Sequence, residues 1–259
     1  MEHHEMEMAI EKAVHIISNS KNIIVFIGAG VSTESGIPNL RSPNGIWAQY
    51  DPEDFTYQKY LARSETREKI WKMQDLLDVS EANPNSAHLT IAELETLEKL
   101  NCIITQNIDN LHQKAGNSDE KVIELHGNMK KIICLNCGIT CAREEIDERV
   151  QSGEKDPYCH TCLGILKPAT IFIREAMPVA ETREAERRSQ SCEAFTVVGS
   201  SLVVYPAANI PLQAKRNGAR LVIINLTKTH VGNIADVVLY GKAREISERI
   251  MPDVKKRVI

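Results

Sequence analysis

Two sets of residues in this 259-residue chain have the types and spacing to do chemistry. The first is cysteine. Cys134-x-x-Cys137 and Cys159-x-x-Cys162 are separated by 21 residues. Two such knuckles supply four thiolates to a tetrahedral zinc ion. With every position filled by protein, none is left for water, and the metal is expected to be structural. His160 lies between the second pair, but four sulfurs suffice, and Cys102, Cys141 and Cys192 read as plain thiols. The second set is polar. Thr105-Gln106-Asn107-Ile108-Asp109 follows the apolar run Cys102 to Ile104, and His126-Gly127-Asn128 follows Val122 to Leu125. Open α/β sheets bind ligands at the carboxyl ends of their strands. Asn and Asp also favour caps, so a capped loop is the plain reading of the same residues. An imidazole titrating near neutrality can serve as a general base, though a lone histidine can equally be structural. Beside the Asn107 and Asp109 strand end, His126 becomes the candidate base. His88, in the first turn of a helix without such company, reads as structural.

These residues need a scaffold, and the chain spells one out. The apolar run Ile23 to Ile27 suits a strand covered on both faces. It leads into Gly28-Ala29-Gly30 and the small hydroxyls Ser32, Thr33 and Ser35. Glycines after such a strand let N–H groups at a helix start approach a phosphate. Gly36 comes too late for G-x-G-x-x-G, so the run alone could equally be a tight turn. Helices are expected over 5–19 and from Ser86 to Leu97. Further strands are expected over Ala169 to Ile173, Phe195 to Val198, Leu221 to Ile224 and Val237 to Leu239. Gly199-Ser200-Ser201 and Asn225-Leu226 follow two of them; Pro206 and the run Gly241-Lys242-Ala243 should open helices. The alternation predicts an α/β fold, a Rossmann-like parallel sheet flanked by helices, built from 1–41, 84–128 and 166–259. A helical insertion at 42–83 and a zinc-binding module at 129–165 interrupt it. Trp71, Met73 and Leu76 read as one face packing inside that insertion.

Composition narrows the classes. A net charge of −4 offers no basic surface for nucleic acid. Ala9 to Ile17 is short and broken by charge, so neither a signal peptide nor a membrane span is expected. Seven cysteines without a disulfide pattern suit a cytoplasmic protein.

GAGVSTESGIPNLR, TQNIDNLHQKAG, ELHGN, the paired knuckles, GSSLVVYPAA and INL occur in this order. With them the chain resembles the sirtuins, NAD-dependent protein deacylases, over roughly Ile23 to Ile250. The resemblance implies a large Rossmann-like domain and a small one made of the helical insertion and a four-cysteine zinc ribbon. NAD and an acyl-lysine peptide would meet between them. Gly28, Ala29, Gly30, Thr33 and Arg41 would face the NAD phosphates and ribose, with Leu40 over the reacting sugar. Gln106 would touch the nicotinamide ribose, and Ile108 and Asp109 would hold the carboxamide. Gly199, Ser200, Ser201, Asn225, Leu226 and Ala243 would line the adenosine side. Asn107 would position ribose and water, and His126 would take a proton from a ribose hydroxyl. Nicotinamide, free lysine and O-acetyl-ADP-ribose would leave. Ile171, Phe172, Ile173, Arg174 and Glu175 would pair with the peptide backbone opposite Leu202, Val203 and Val204.

The chain departs from the sirtuin pattern in three places. Leu40 stands where the family usually has phenylalanine. Phe172-Ile173-Arg174-Glu175 replaces Phe-Phe-Gly-Glu; the arginine adds a charge, a penalty if φ is positive, and an expected leaning towards acidic peptides. No Tyr-x-x-Arg pair marks a desuccinylating member, since Trp71 to Gln74 reads Trp-Lys-Met-Gln. An uncharged acyl group, acetyl first, is favoured. The same glycosidic cleavage would serve ADP-ribosyl transfer to protein, and a non-catalytic NAD or ADP-ribose sensor would need the same fold.

Overall fold

The computed structural model describes residues 3–38, 50–74, 79 and 81–258. Leu40, Arg41, the 42–45 turn, Ile46, Trp47 and Leu76 lie outside the described residues. The strands are β1 (Ile23–Ile27), β2 (Leu100–Thr105), β3 (Val122–Glu124), β4 (Gly127–Cys134), β5 (Thr140–Ala142), β6 (Leu166–Thr170), β7 (Ala194–Val198), β8 (Arg220–Asn225) and β9 (Val237–Tyr240). Six form one sheet in the order β3-β2-β1-β7-β8-β9. Every neighbouring pair in it is parallel. The chain builds outward from β1 to β3, then returns to start the other half at β7. The crevice at the carboxyl ends of β1 and β7 is therefore the topological switch point, where such sheets take ligands.

β1 is apolar at every position because both its faces are buried. Ile23, Val25 and Ile27 pack with α1 (His3–Asn19) and with helices at Ser86–Thr96 and Ala243–Val258. Ile24 and Phe26 pack on the other side with Ala185, Ile210 and Ala214. Each such side chain contributes about 1.5–3 kcal/mol by leaving water. Asn85 caps the Ser86–Thr96 helix by accepting from Ala87 N at 3.0 Å. His88 is buried there, and its Nδ1 accepts from Asn85 N at 3.3 Å, a structural role. Burial pushes His88 down to about 4, against the opposing pull of Asp109. The helix expected from Pro206 instead starts at Ile210, after a 3-10 turn at Ala207–Asn209. Among the described residues no helix is long and apolar enough to cross a membrane.

The strand expected over Ala169 to Ile173 needs correction. β6 is Leu166–Thr170 and pairs antiparallel with β4, not with the parallel sheet. With β5 it makes a three-stranded sheet in the order β5-β4-β6. Past Thr170 the ladder stops: Phe172 N donates to the Glu175 carboxylate at 2.7 Å, and Arg174 takes φ +63°. Trp71 and Met73 do not share a core either. Trp71 joins Ile132, Ile146 and Leu166 of the cysteine module, whereas Met73 joins Phe55, Tyr60 and Ile70. Residues two apart on a helix point about 200° apart, so one face could not hold both.

β4 begins beside His126 and ends on Cys134, so a single strand joins the candidate base to the candidate metal. Its first residue has no room for a side chain. Gly127 sits at φ +74°, and a Cβ there would lie 1.9 Å from the Ala169 carbonyl oxygen. Gly127→Ala is expected to cost about 2–4 kcal/mol through left-handed strain and the forced parting of β4 from β6. Urea denaturation checks this; a variant as stable as wild type would show that the pair yields without cost.

Candidate active site and metal centre

His126 stands half-buried at the turn between β3 and β4. Its Nδ1 lies 3.0 Å from the Gln106 carbonyl oxygen. A carbonyl only accepts, so Nδ1 carries the hydrogen and the neutral ring keeps its basic lone pair on Nε2. Gln106 continues β2, its N donating to the Ile27 carbonyl at 3.0 Å. The tautomer is thus set by backbone that the parallel sheet itself holds.

Asn107 and Asp109 are brought together through Ser32, which the sequence offered only as one of several small hydroxyls after β1. Asn107 Nδ2 donates to Ser32 Oγ at 3.0 Å, and Ser32 Oγ donates to Asp109 Oδ2 at 2.7 Å. Ser32 lies 75 and 77 positions from these partners. The other carboxylate oxygen of Asp109 accepts from Leu111 N at 3.0 Å. A carboxylate has about four acceptor sites. Among the described residues Asp109 is buried with two of them in use, which leaves capacity for a carboxamide N–H. Ile108 accepts from Met129 N at 3.0 Å, fastening this loop to β4.

Gly28 and Gly30 abut protein. A Cβ on Gly28 would lie 2.7 Å from the Gly199 oxygen, and one on Gly30 would lie 2.8 Å from it. Gly30 N donates to Gly199 O at 2.9 Å, so the loops after β1 and β7 touch backbone to backbone. Ala29 and Thr33 are left exposed above this contact. Buried Ser200 donates to Gln106 Oε1 at 3.0 Å, linking the third strand end to the second. Further along the edge, Asn225 is buried and holds Thr227 O at 2.9 Å. Ser201 is exposed, Ala243 is buried, and the Leu226 side chain stands 68 % exposed, an apolar face of the sort an adenine ring covers. The residues expected on the NAD side therefore lie at the carboxyl ends of the parallel strands; Leu40 and Arg41 are outside the described residues.

The 171–175 loop starts at the base: Ile171 N donates to His126 O at 2.9 Å. Lys167, buried beneath the loop, pairs with Glu175 at 3.0 Å and lies 4.4 Å from the Phe172 ring centroid. Burial pulls its ammonium below the usual range while Glu175 opposes. Ile173 accepts from Tyr57 N at 3.0 Å. In the loop after β7 Val203 is exposed and Val204 half-buried, but Leu202 is only 1 % exposed and packs into the core. Leu202 can therefore offer a peptide only its backbone.

The sulfurs of Cys134, Cys137, Cys159 and Cys162 all lie within 4.8 Å of one another. Cys134 and Cys162 are 3.4 Å apart, and Cys137 and Cys159 3.8 Å. Zinc–sulfur bonds of about 2.3 Å give tetrahedral edges of about 3.8 Å, so the four thiols fit zinc. Gly164 lets them converge, since a Cβ there would lie 3.0 Å from the Cys134 sulfur. His160 is exposed and not among these ligands.

A doubly wound sheet with three polar strand ends meeting at its switch point is a nucleotide-binding α/β protein, here joined to a zinc ribbon. Residues 28–206 match the Sir2 family, and the chain belongs to that family. The NAD-dependent protein deacetylase of Thermodesulfovibrio yellowstonii is 42% identical over 248 residues, covering 95% of each chain. NAD-dependent protein deacylase 2 of Archaeoglobus fulgidus is 42% identical over 253 residues, covering 97% of this chain and 98% of its own. A solved structure described as Sir2–p53 peptide–NAD+ matches with a TM-score of 0.86 at 33% identity, over 95% of this chain and 99% of that one.

Proposed function

We propose that this protein is an NAD-dependent protein-lysine deacetylase with an acetylated protein as substrate. The observation that carries the reading is the His126–Gln106 hydrogen bond, which presents a basic Nε2 beside the Asn107–Ser32–Asp109 chain. NAD supplies the ribose carbon whose bond to nicotinamide breaks as the acetyl-lysine amide oxygen bonds to it. Asp109 accepts from the departing carboxamide, and its buried, preoriented charge favours a strained pyridinium; groups of this type contribute roughly 3 kcal/mol each. Ile108 backs the ring. Asn107 orients ribose and water, and His126 takes the proton of a ribose hydroxyl, which then receives the acetyl group. Acetyl-lysine, NAD and water thus give lysine, nicotinamide and O-acetyl-ADP-ribose. Ala29, Thr33 and Arg41 take the phosphate side, and Ser200, Ser201, Asn225, Leu226 and Ala243 the adenosine side. The 171–175 loop and Leu202 to Val204 flank the way to His126, and the peptide lies between them. In this reading the parallel sheet is the NAD-binding domain, and the insertion and zinc module close over it. Seven cysteines, none in a disulfide, support a cytoplasmic setting.

The test is incubation with NAD and an acetyl-lysine peptide, followed by mass. One nicotinamide and one O-acetyl-ADP-ribose are expected per lysine freed. Peptide-bound ADP-ribose would mark ADP-ribosyl transfer instead. NAD left intact with a range of acylated peptides would end the enzymatic reading.

A further inference from the structure

Arg174 stands on the outer turn of the loop that begins at His126. Its side chain is 62 % exposed, and its backbone is held at φ +63°, where glycine would be easier. Two carboxylates of the described segments on either side of it are matched to other cations. Glu175 pairs with Lys167 at 3.0 Å, and Asp54 pairs with Lys59 at 3.1 Å and Lys69 at 3.7 Å. Glu53 faces Arg174 itself, Oε1 lying 2.7 Å from Nη2. The two are 121 positions apart. Backbone holds them together: Thr56 and Ile173 form a parallel bridge, and Tyr57 N donates to Ile173 O at 3.0 Å. Glu53, in the 3-10 turn Pro52–Phe55, therefore rides on a segment fixed to the loop.

We propose that Glu53 is a specificity-determining residue that occupies the Arg174 guanidinium. Acidic side chains of an incoming peptide then meet a neutralised pair, not a bare cation. The substrate class that follows is an acetyl-lysine peptide selected without regard to flanking acidic residues, the opposite of what Arg174 alone predicts. This rests on the peptide role proposed above for the 171–175 loop.

The experiment compares two acetyl-lysine peptides that differ only by Asp against Asn beside the lysine. Wild type, Glu53→Gln, Arg174→Gly and the double variant are measured for kcat/KM and, separately, for peptide binding by fluorescence anisotropy. Wild type should treat the peptides nearly alike. Glu53→Gln should favour the Asp peptide by roughly two- to fivefold, the range open to an exposed ion pair. That preference should shrink in about 0.5 M salt and vanish in the double variant. An unchanged Asp/Asn ratio in Glu53→Gln overturns the proposal. So does a preference that survives in the double variant, since another cation would then carry it. If the binding contrast appears while NAD stays whole, the inference stands and the deacetylase reading falls.

Discussion

His126→Ala should lower peptide deacetylation by roughly 10²–10⁴-fold, the span of a positioned general base. Exchange of labelled nicotinamide into NAD, measured with the same acetyl-lysine peptide, should fall far less. The asymmetry follows from the role proposed for each residue. In the proposed mechanism Asp109 holds the carboxamide end, and its hydrogen bond from Ser32 is unaltered by the substitution. In that mechanism the imidazole acts on a ribose hydroxyl only after nicotinamide has gone. The variant also loses the Nδ1–H bond to the Gln106 carbonyl, so a thermal melt must accompany the kinetics. A shift of a few degrees is compatible with the proposed role. Equal loss of exchange and deacetylation would instead mean that the substitution had wrecked the NAD site, and undiminished turnover would remove His126 from the chemistry.

Removing the metal should be as damaging, although the four cysteines touch no reacting atom. Cys134 and Cys159 are themselves part of the small core that contains Trp71, Ile132, Ile146 and Leu166. Without zinc, the four thiols lose the ion that ties the two knuckles together, and the core they belong to loses that cross-link. Structural zinc contributes on the order of 10 kcal/mol in comparable small sites. The disturbance should then travel along β4 to Gly127 and His126. Cys137→Ser, or chelation of wild type, is expected to abolish stoichiometric zinc by elemental analysis and to reduce deacetylation at least 100-fold, about 3 kcal/mol at the transition state. In a Trp47→Phe background, emission from Trp71, which is 2 % exposed, should shift to the red. A zinc-free protein with Trp71 still buried and full activity would make the cluster dispensable.

Residues whose partners are near in sequence were legible without a structure. The knuckles announce their metal because each pair spans one tight turn, and the β1 run announces its burial because both faces are apolar. The misread places share a different character. Phe172 and Ile173 look like strand, yet the ladder stops at Thr170 because the Glu175 carboxylate takes the Phe172 N–H. Leu202 was expected opposite the peptide backbone, and the fold adds that its side chain turns into the core. Gly28 and Gly30 were expected to let the backbone approach a phosphate, and the fold adds that a Cβ on either would also meet the loop after β7.

By itself, then, the chain's order of residues determined the α/β class, the zinc ligands, and the family with its candidate base and amides. All of these rest on local periodicity or on motifs contiguous in the chain. Only the folded molecule decided that Ser32 bridges Asn107 to Asp109, that Gln106 sets the His126 tautomer, and that Glu53 answers Arg174. Those pairings join residues 20 to 121 positions apart. They exist because strand order and the small antiparallel sheet bring distant loops to one edge, and no local pattern encodes which loop will arrive there.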